Sequence, residues 1–219
     1  MTLTEPFSYG INKVREKFWF CFGLLMISFI LNLLIKANGK SVWDALPLVY
    51  IMVALVLYFI SAVYHAGVVR IFLNICDGKP TGYYDLFSIY DVLWRYIGGT
   101  ILYIAVIIGG MILLVVPGVI WGLKYNQFFY YIIDKNCGIK ESFKRSALAM
   151  EGHKTFMLKF ILLAALFNLA GALCLLIGLL VTVPATWLGH AYIYRKLDSL
   201  AFPAATVPSQ TEAVPSFNG

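Results

Sequence analysis

Lys124 is the charge set deepest inside an apolar stretch, which here spans residues 119–133. A cation at that depth in a bilayer is costly and marks a functional site by default. Asn126 and Gln127 follow it closely, and Asn168 lies in a later apolar run. The four residues form a candidate contact for an anion or a lipid phosphate. Lys124 has a plainer use as well. Helical side chains lean toward the helix N-terminus, so from about six residues, roughly 9 Å, inside its helix it can snorkel to water. His65 and His190 hold matching places near the ends of two apolar runs and could take protons or bind metal. With no carboxylate or thiolate beside them they make a poor metal site, and hydrogen bonds to neighbouring helices are the alternative.

Other chemistry is missing from the sequence. It has no H-E-x-x-H, no G-x-S-x-G, no phosphate-binding P-loop and no Gly-rich dinucleotide fingerprint. Carboxylates fall in flanks and loops, so no acid–base pair faces itself inside an apolar stretch. The cysteines (Cys21, Cys76, Cys137, Cys174) include no C-x-x-C pair. No enzyme, cofactor or metal is expected.

The elements that must position these residues are apolar helices. Of 219 residues, 61% are hydrophobic and 13% charged, and mean hydropathy is +0.81. Soluble domains carry about 25% charged residues. Segments long enough to span a bilayer, about 20 residues each, are predicted at 18–35, 46–69, 97–116, 155–176 and 180–197, with a shorter, more polar one at 119–133. Pro117 and Pro184 are read as helix starts, where a missing N–H costs little; a kink at Pro184 inside one longer segment is the alternative. Residues 1–199 form one domain, and the tail from 200 to 219, rich in Pro, Ala, Ser and Thr, is expected to be disordered.

Charge orients the bundle, since cytoplasmic flanks carry excess Lys and Arg. Lys13, Arg15 and Lys17, then Arg70, Lys79 and Arg95, fall on one side. Lys135, Lys140, Lys144, Arg145, Lys154, Lys159, Arg195 and Lys196 join them, against Lys36 and Lys40 on the other. Both termini are therefore expected inside a bacterial inner membrane. The net charge of +6 brackets apolar segments and builds no face for nucleic acid.

Three interfacial helices are expected before the hairpins. Their apolar stripes are Phe7, Ile11, Val14 and Phe18; Leu86, Tyr90, Leu93 and Ile97; and Ile139, Phe143, Ala147 and Met150. Lys140, Lys144 and Arg145 oppose the third stripe and are candidate contacts for anionic lipid headgroups. The predicted fold is thus an all-α membrane protein: about six transmembrane helices as three parallel hairpin repeats, each preceded by a cytoplasmic amphipathic helix. Glycines in or beside the spans (Gly67, Gly98, Gly99, Gly109, Gly110, Gly118, Gly122, Gly171 and Gly178) are read as close helix contacts, and Trp94, Tyr96, Tyr130, Tyr131, Tyr192 and Tyr194 as an interfacial belt.

Residues 112–121 carry a Val-Pro-Gly turn, and Gly138, Glu141, Ser142 and Ser146 follow on the third amphipathic segment, then Gly152. This pattern resembles a bacterial superfamily that includes YciC-like inner-membrane proteins and the membrane domain fused to some glycerophosphodiester phosphodiesterases. Ser142 stands where alanine is usual in it. The resemblance implies a six-helix membrane domain of unassigned activity and transfers no catalytic residue. Two readings follow. One is a non-enzymatic protein organising lipid, a protein partner or copies of itself through its interfacial helices. The other is a small-molecule or lipid transporter with its site between the hairpins, near Lys124 and Asn126.

Overall fold

A computed structural model describes residues 2–37, 46–173 and 178–203. Lys40, Cys174 and the tail from 204 lie outside the described residues. Among those described, every regular element is a helix: α1 (Thr4–Glu16), α2 (Phe18–Ala37), α3 (Pro47–Cys76), a 3-10 turn (Tyr83–Phe87), α4 (Leu93–Leu113), α5 (Val115–Tyr125), α6 (Phe128–Lys135), α7 (Ile139–Ala149), α8 (Lys154–Leu173) and α9 (Leu179–Ala201). Of these, α2, α3, α4 and α8 are long and apolar enough to cross a membrane. They turn large apolar side chains outward, such as Leu48, Ile112 and Leu173.

The remaining long helix, α9, is the least apolar of the five and the most enclosed. It packs against α1, α2, α3, α7 and α8 and buries Thr182, Thr186, Leu188, Ala191, Ile193 and Tyr194. A helix ringed by protein need not match the apolarity of lipid, so threonine and glycine are tolerated along it. Its tightest neighbour is α1. A Cβ on Gly10 would collide with the Ala185 carbonyl, and one on Gly189 would stand 2.9 Å from the Pro6 carbonyl oxygen. Two glycines thus bring the backbones together. Phe7 then reaches across to Phe160 at 5.1 Å.

Two hairpins close on paired glycines. A Cβ on Gly110 would lie 2.7 Å from the Gly118 Cα, joining α4 to α5. One on Gly178 would lie 2.6 Å from the Gly171 carbonyl oxygen, joining α8 to α9. Pro117 is the third residue of α5, as expected of a start. Pro184 is not a start: α9 begins at Leu179, so Pro184 sits in its second turn. Gly178 makes the first turn instead, its carbonyl accepting from the N–H groups of Val181 and Thr182.

Three further expectations are corrected. The predicted span at 119–133 is two helices, α5 and α6, interrupted at Asn126 and Gln127. The second amphipathic segment is not an α-helix before Leu93. Its buried residues are Leu86, Ile89, Val92 and Leu93, the first three spaced by three as 3-10 geometry requires. Backbone bonds from Asp85 to Gly82, Ser88 to Asp85 and Val92 to Ile89 follow that period. Tyr90, assigned to the apolar stripe, points out. Finally, Tyr130, Tyr131 and Tyr194 are core residues and no belt: all three are sealed, and Tyr130 stacks on Tyr194 at 4.8 Å.

Candidate functional site

The site is built on α7, which lies across the break between α5 and α6. Its buried face carries Ser142, Phe143, Ser146 and Ala149, a stripe offset from the expected one by two serines. Ser146 Oγ donates to the Lys124 carbonyl at 3.1 Å and accepts from the Gln127 N–H at 3.1 Å. Phe143 wedges beside it, 5.2 Å from Tyr125 on one side and 4.9 Å from Phe128 on the other. The break thus exchanges one intrahelical bond for a bond to a side chain, satisfying a buried donor.

Around this break the four residues expected to form one site divide. Lys124 sits in the last turn of α5, where the helix dipole favours a cation, and its Nζ lies 5.4 Å from the Tyr125 ring centre. Gln127 is wholly enclosed, and neither its amide oxygen nor its nitrogen has a hydrogen-bond partner among the described residues; the Asn126 amide oxygen is likewise unpaired. Asn168 belongs elsewhere, with its Nδ2 3.5 Å from Thr186 Oγ1 on α9.

The basic residues of α7 also separate. Arg145 is committed: its Nε donates to Glu141 at 2.9 Å and its guanidinium lies 5.2 Å from the Phe202 ring. Lys140 and Lys144, one turn apart and exposed, border a groove of about 450 Å³ between α4, α5 and α7. Leu102 and Val106 form one apolar wall, Trp121 and Tyr125 the other. Among the described residues neither lysine has a carboxylate within ion-pair reach. Lys13, Lys79, Lys135, Arg145, Arg195 and Lys196 each have one.

Two of these, Arg195 and Lys135, belong to a second polar centre built on Asp134. Arg195 Nη1 meets Asp134 Oδ2 at 2.6 Å, and its Nη2 reaches Asp134 Oδ1 at 2.8 Å and Asp77 Oδ2 at 2.9 Å. Tyr194 OH donates to Asp134 at 2.8 Å, and Lys135 bridges Asp134 and Asp198 at 3.5 and 3.4 Å. Burial by itself would raise the Asp134 carboxyl; the Arg195 bonds and charge outweigh it and hold the group below the usual aspartate range. The arrangement ties the end of α3 to α6 and α9. Both Asp134 oxygens meet the Arg195 guanidinium, a two-point contact that braces these helices together.

The histidines do not meet. His190 Nδ1 lies 3.0 Å from Tyr130 OH, whereas His65 stacks on Trp187 at 6.1 Å. No group of three or more metal-ligating side chains occurs among the described residues. Sequence reasoning missed Ser146 as a joint and Asp134–Arg195 as a brace. Serine beside Phe143 and Ala149 on the inward face of α7 was the available signal for the first. The second spans 61 positions and leaves no local trace.

Over 145 residues the chain is 30% identical to the uncharacterized protein Rv2560 of Mycobacterium tuberculosis (strain ATCC 25618 / H37Rv). The uncharacterized protein Mb2590 of Mycobacterium bovis (strain ATCC BAA-935 / AF2122/97) matches to the same extent. The overlap takes in 66% of this chain and 43% of each relative, so the chain spans less than half the length of the curated relatives it matches. No protein-family model and no solved structure matches it.

Proposed function

We propose that the chain is a non-enzymatic, multi-spanning protein of the bacterial inner membrane that organises anionic lipid through its cytoplasmic interfacial helices. The observation that carries this is the pair Lys140 and Lys144, exposed on α7 beside an apolar groove and, among the described residues, without a carboxylate within ion-pair reach, while Arg145 on the same helix is held by Glu141. A cation left unpaired near a leaflet is worth about 1 kcal/mol toward anionic lipid. Support for the membrane setting comes from the four long apolar helices. Counting the α5–α6 pair and α9 as spans gives six in three parallel hairpins, each introduced by α1, the 3-10 segment or α7. The glycine pairs at Gly110–Gly118 and Gly171–Gly178 support the repeat, and the charge asymmetry supports cytoplasmic termini. The transporter reading draws no support from Gln127, which is sealed from solvent.

The test is lipid retention. Detergent-purified protein is exchanged into mixed phosphatidylglycerol and phosphatidylcholine, and bound lipid is counted by native mass spectrometry across a salt series. Preferential, salt-sensitive retention of phosphatidylglycerol is expected. Equal retention of both lipids at low salt refutes the reading.

A further inference from the structure

We propose that the groove between α4, α5 and α7 seats one anionic phospholipid of the cytoplasmic leaflet, with its phosphate on Lys140 and Lys144 and an acyl chain between Leu102, Val106 and Trp121. The inference rests on the reading above and names its site. Three observations converge on this occupant.

The first is charge geometry. Residues four apart on a helix stand on one face, so Lys140 and Lys144 offer two ammonium groups to a single phosphate. Ala147, next along that face, also lines the groove and leaves it open where a larger side chain would fill it. The second is the graded wall. Below the lysines come the ring of Tyr125 and the indole of Trp121, side chains that place an apolar body in lipid and a polar tip at the headgroup level. Beyond them Leu102 and Val106 are purely apolar. Polar at one end and apolar at the other, the groove matches the profile of an amphiphile. An extended protein segment would need backbone partners along its length, and these walls offer side chains of α-helices whose backbone is already bonded. The third is selectivity within α7. Arg145 has the same sign and lies one residue from Lys144, yet it is held by Glu141 and Phe202. A diffuse basic surface would use all three residues; the groove uses two.

The 450 Å³ of the groove falls within the range of about 300–1,000 Å³ typical of ligand pockets. That is room for one chain and part of a headgroup, with the rest of the lipid in the surrounding bilayer.

The experiment compares full-length wild type, Lys140→Gln/Lys144→Gln, Arg145→Gln and Ala147→Trp. Each is titrated with phosphatidylglycerol and phosphatidylcholine and read by native mass spectrometry, with thermal unfolding confirming that each folds. The double lysine variant should lose phosphatidylglycerol preference by about 30-fold, about 5-fold per lysine. Ala147→Trp, which changes no charge, should displace the same lipid, and Arg145→Gln should leave it in place. Lys140→Arg/Lys144→Arg should keep it, and Ala147→Trp carries the test if the glutamine variant does not fold. If wild type prefers phosphatidylglycerol and the double variant or Ala147→Trp is unchanged, the groove is refuted and the broader reading stands. An equal loss in Arg145→Gln refutes the groove in favour of a diffuse basic surface. If wild type shows no preference, both fall, and the face is left to a protein partner.

Discussion

Ser146 and Gln127 are joined across a helix break: the Gln127 N–H, which has no carbonyl partner within α5, donates to Ser146 Oγ at 3.1 Å. The same hydroxyl donates to the Lys124 carbonyl at 3.1 Å. One buried side chain therefore bonds two backbone groups at the break, one on each side of it. This gives the Gln127 N–H a partner where α5 ends and α6 begins, and it fixes α7, with Lys140 and Lys144, against them.

Ser146→Ala should destabilise the protein by about 1–3 kcal/mol, the cost of leaving buried groups unpaired. Ser142→Ala should be nearly neutral. Its hydroxyl donates within its own helix to the Ile139 carbonyl at 2.7 Å, and removing that bond strands no donor. Thermal unfolding in detergent, followed by circular dichroism, measures both. Equal losses from the two substitutions would show that the joint carries no special weight.

The Asp134–Arg195 brace predicts a pH dependence. Asp134 is held below the usual aspartate range in the folded protein. Its stabilisation is therefore complete above the unfolded value of about 4 and is lost as pH falls through the folded value. Asp134→Asn should cost about 1.5–3 kcal/mol at neutral pH, as for a hydrogen bond to a charged group at a partly buried site. Unfolding midpoints measured from pH 7 to pH 3 should fall less steeply in the variant than in wild type. Parallel slopes would assign the acid sensitivity to other carboxylates.

Arg70 makes a narrower prediction. Its guanidinium donates to the Ile133 carbonyl at 3.2 Å and to the Ser88 carbonyl, clamping the 3-10 segment against the end of α6. Arg70→Gln should raise hydrogen exchange in residues 83–92 by about 10-fold or more, since each bond from a charged donor is worth about 1.5–3 kcal/mol. Exchange in α8 should not change. Uniform acceleration across both would mean global loosening.

How much of this was legible depends on the physical scale of each feature. The stripes of α1 and α7 follow period 3.6, so Val14 and Phe143 were readable as inward-facing residues. Leu86, Ile89 and Val92 follow period three, and a search for α-helical spacing substitutes Tyr90 for Ile89. The fourth predicted span hid its break because Asn126 and Gln127 can stand inside a helix as well as between two, while the bond that permits the break comes from Ser146. Hydropathy tracked α2, α3, α4 and α8 because lipid-facing side chains must be apolar. It understated α9, whose surroundings are other helices. Of the candidate site, Lys140 and Lys144 were legible as exposed cations; that Arg145 is engaged and Asn168 lies with Thr186 needed the packing.

The α1–α9 crossing offers a last test, because two glycines with opposite surroundings can be compared. At Gly10 a methyl group would collide with the Ala185 carbonyl, which is backbone and cannot rotate away; at Gly109 it would meet nothing within 4 Å. Gly10→Ala should therefore force α1 off α9 and cost at least the 1–3 kcal/mol typical of overpacking. Gly109→Ala should hold or raise stability by up to about 1 kcal/mol, through better helix propensity. Displacement of α1 has its own readout. A cysteine replacing Val14, buried in wild type, should react slowly with a thiol reagent in the parent and faster alongside Gly10→Ala. If Gly10→Ala and Gly109→Ala unfold at the same temperature and the cysteine is equally protected in both, the two helices are not held at the distance described.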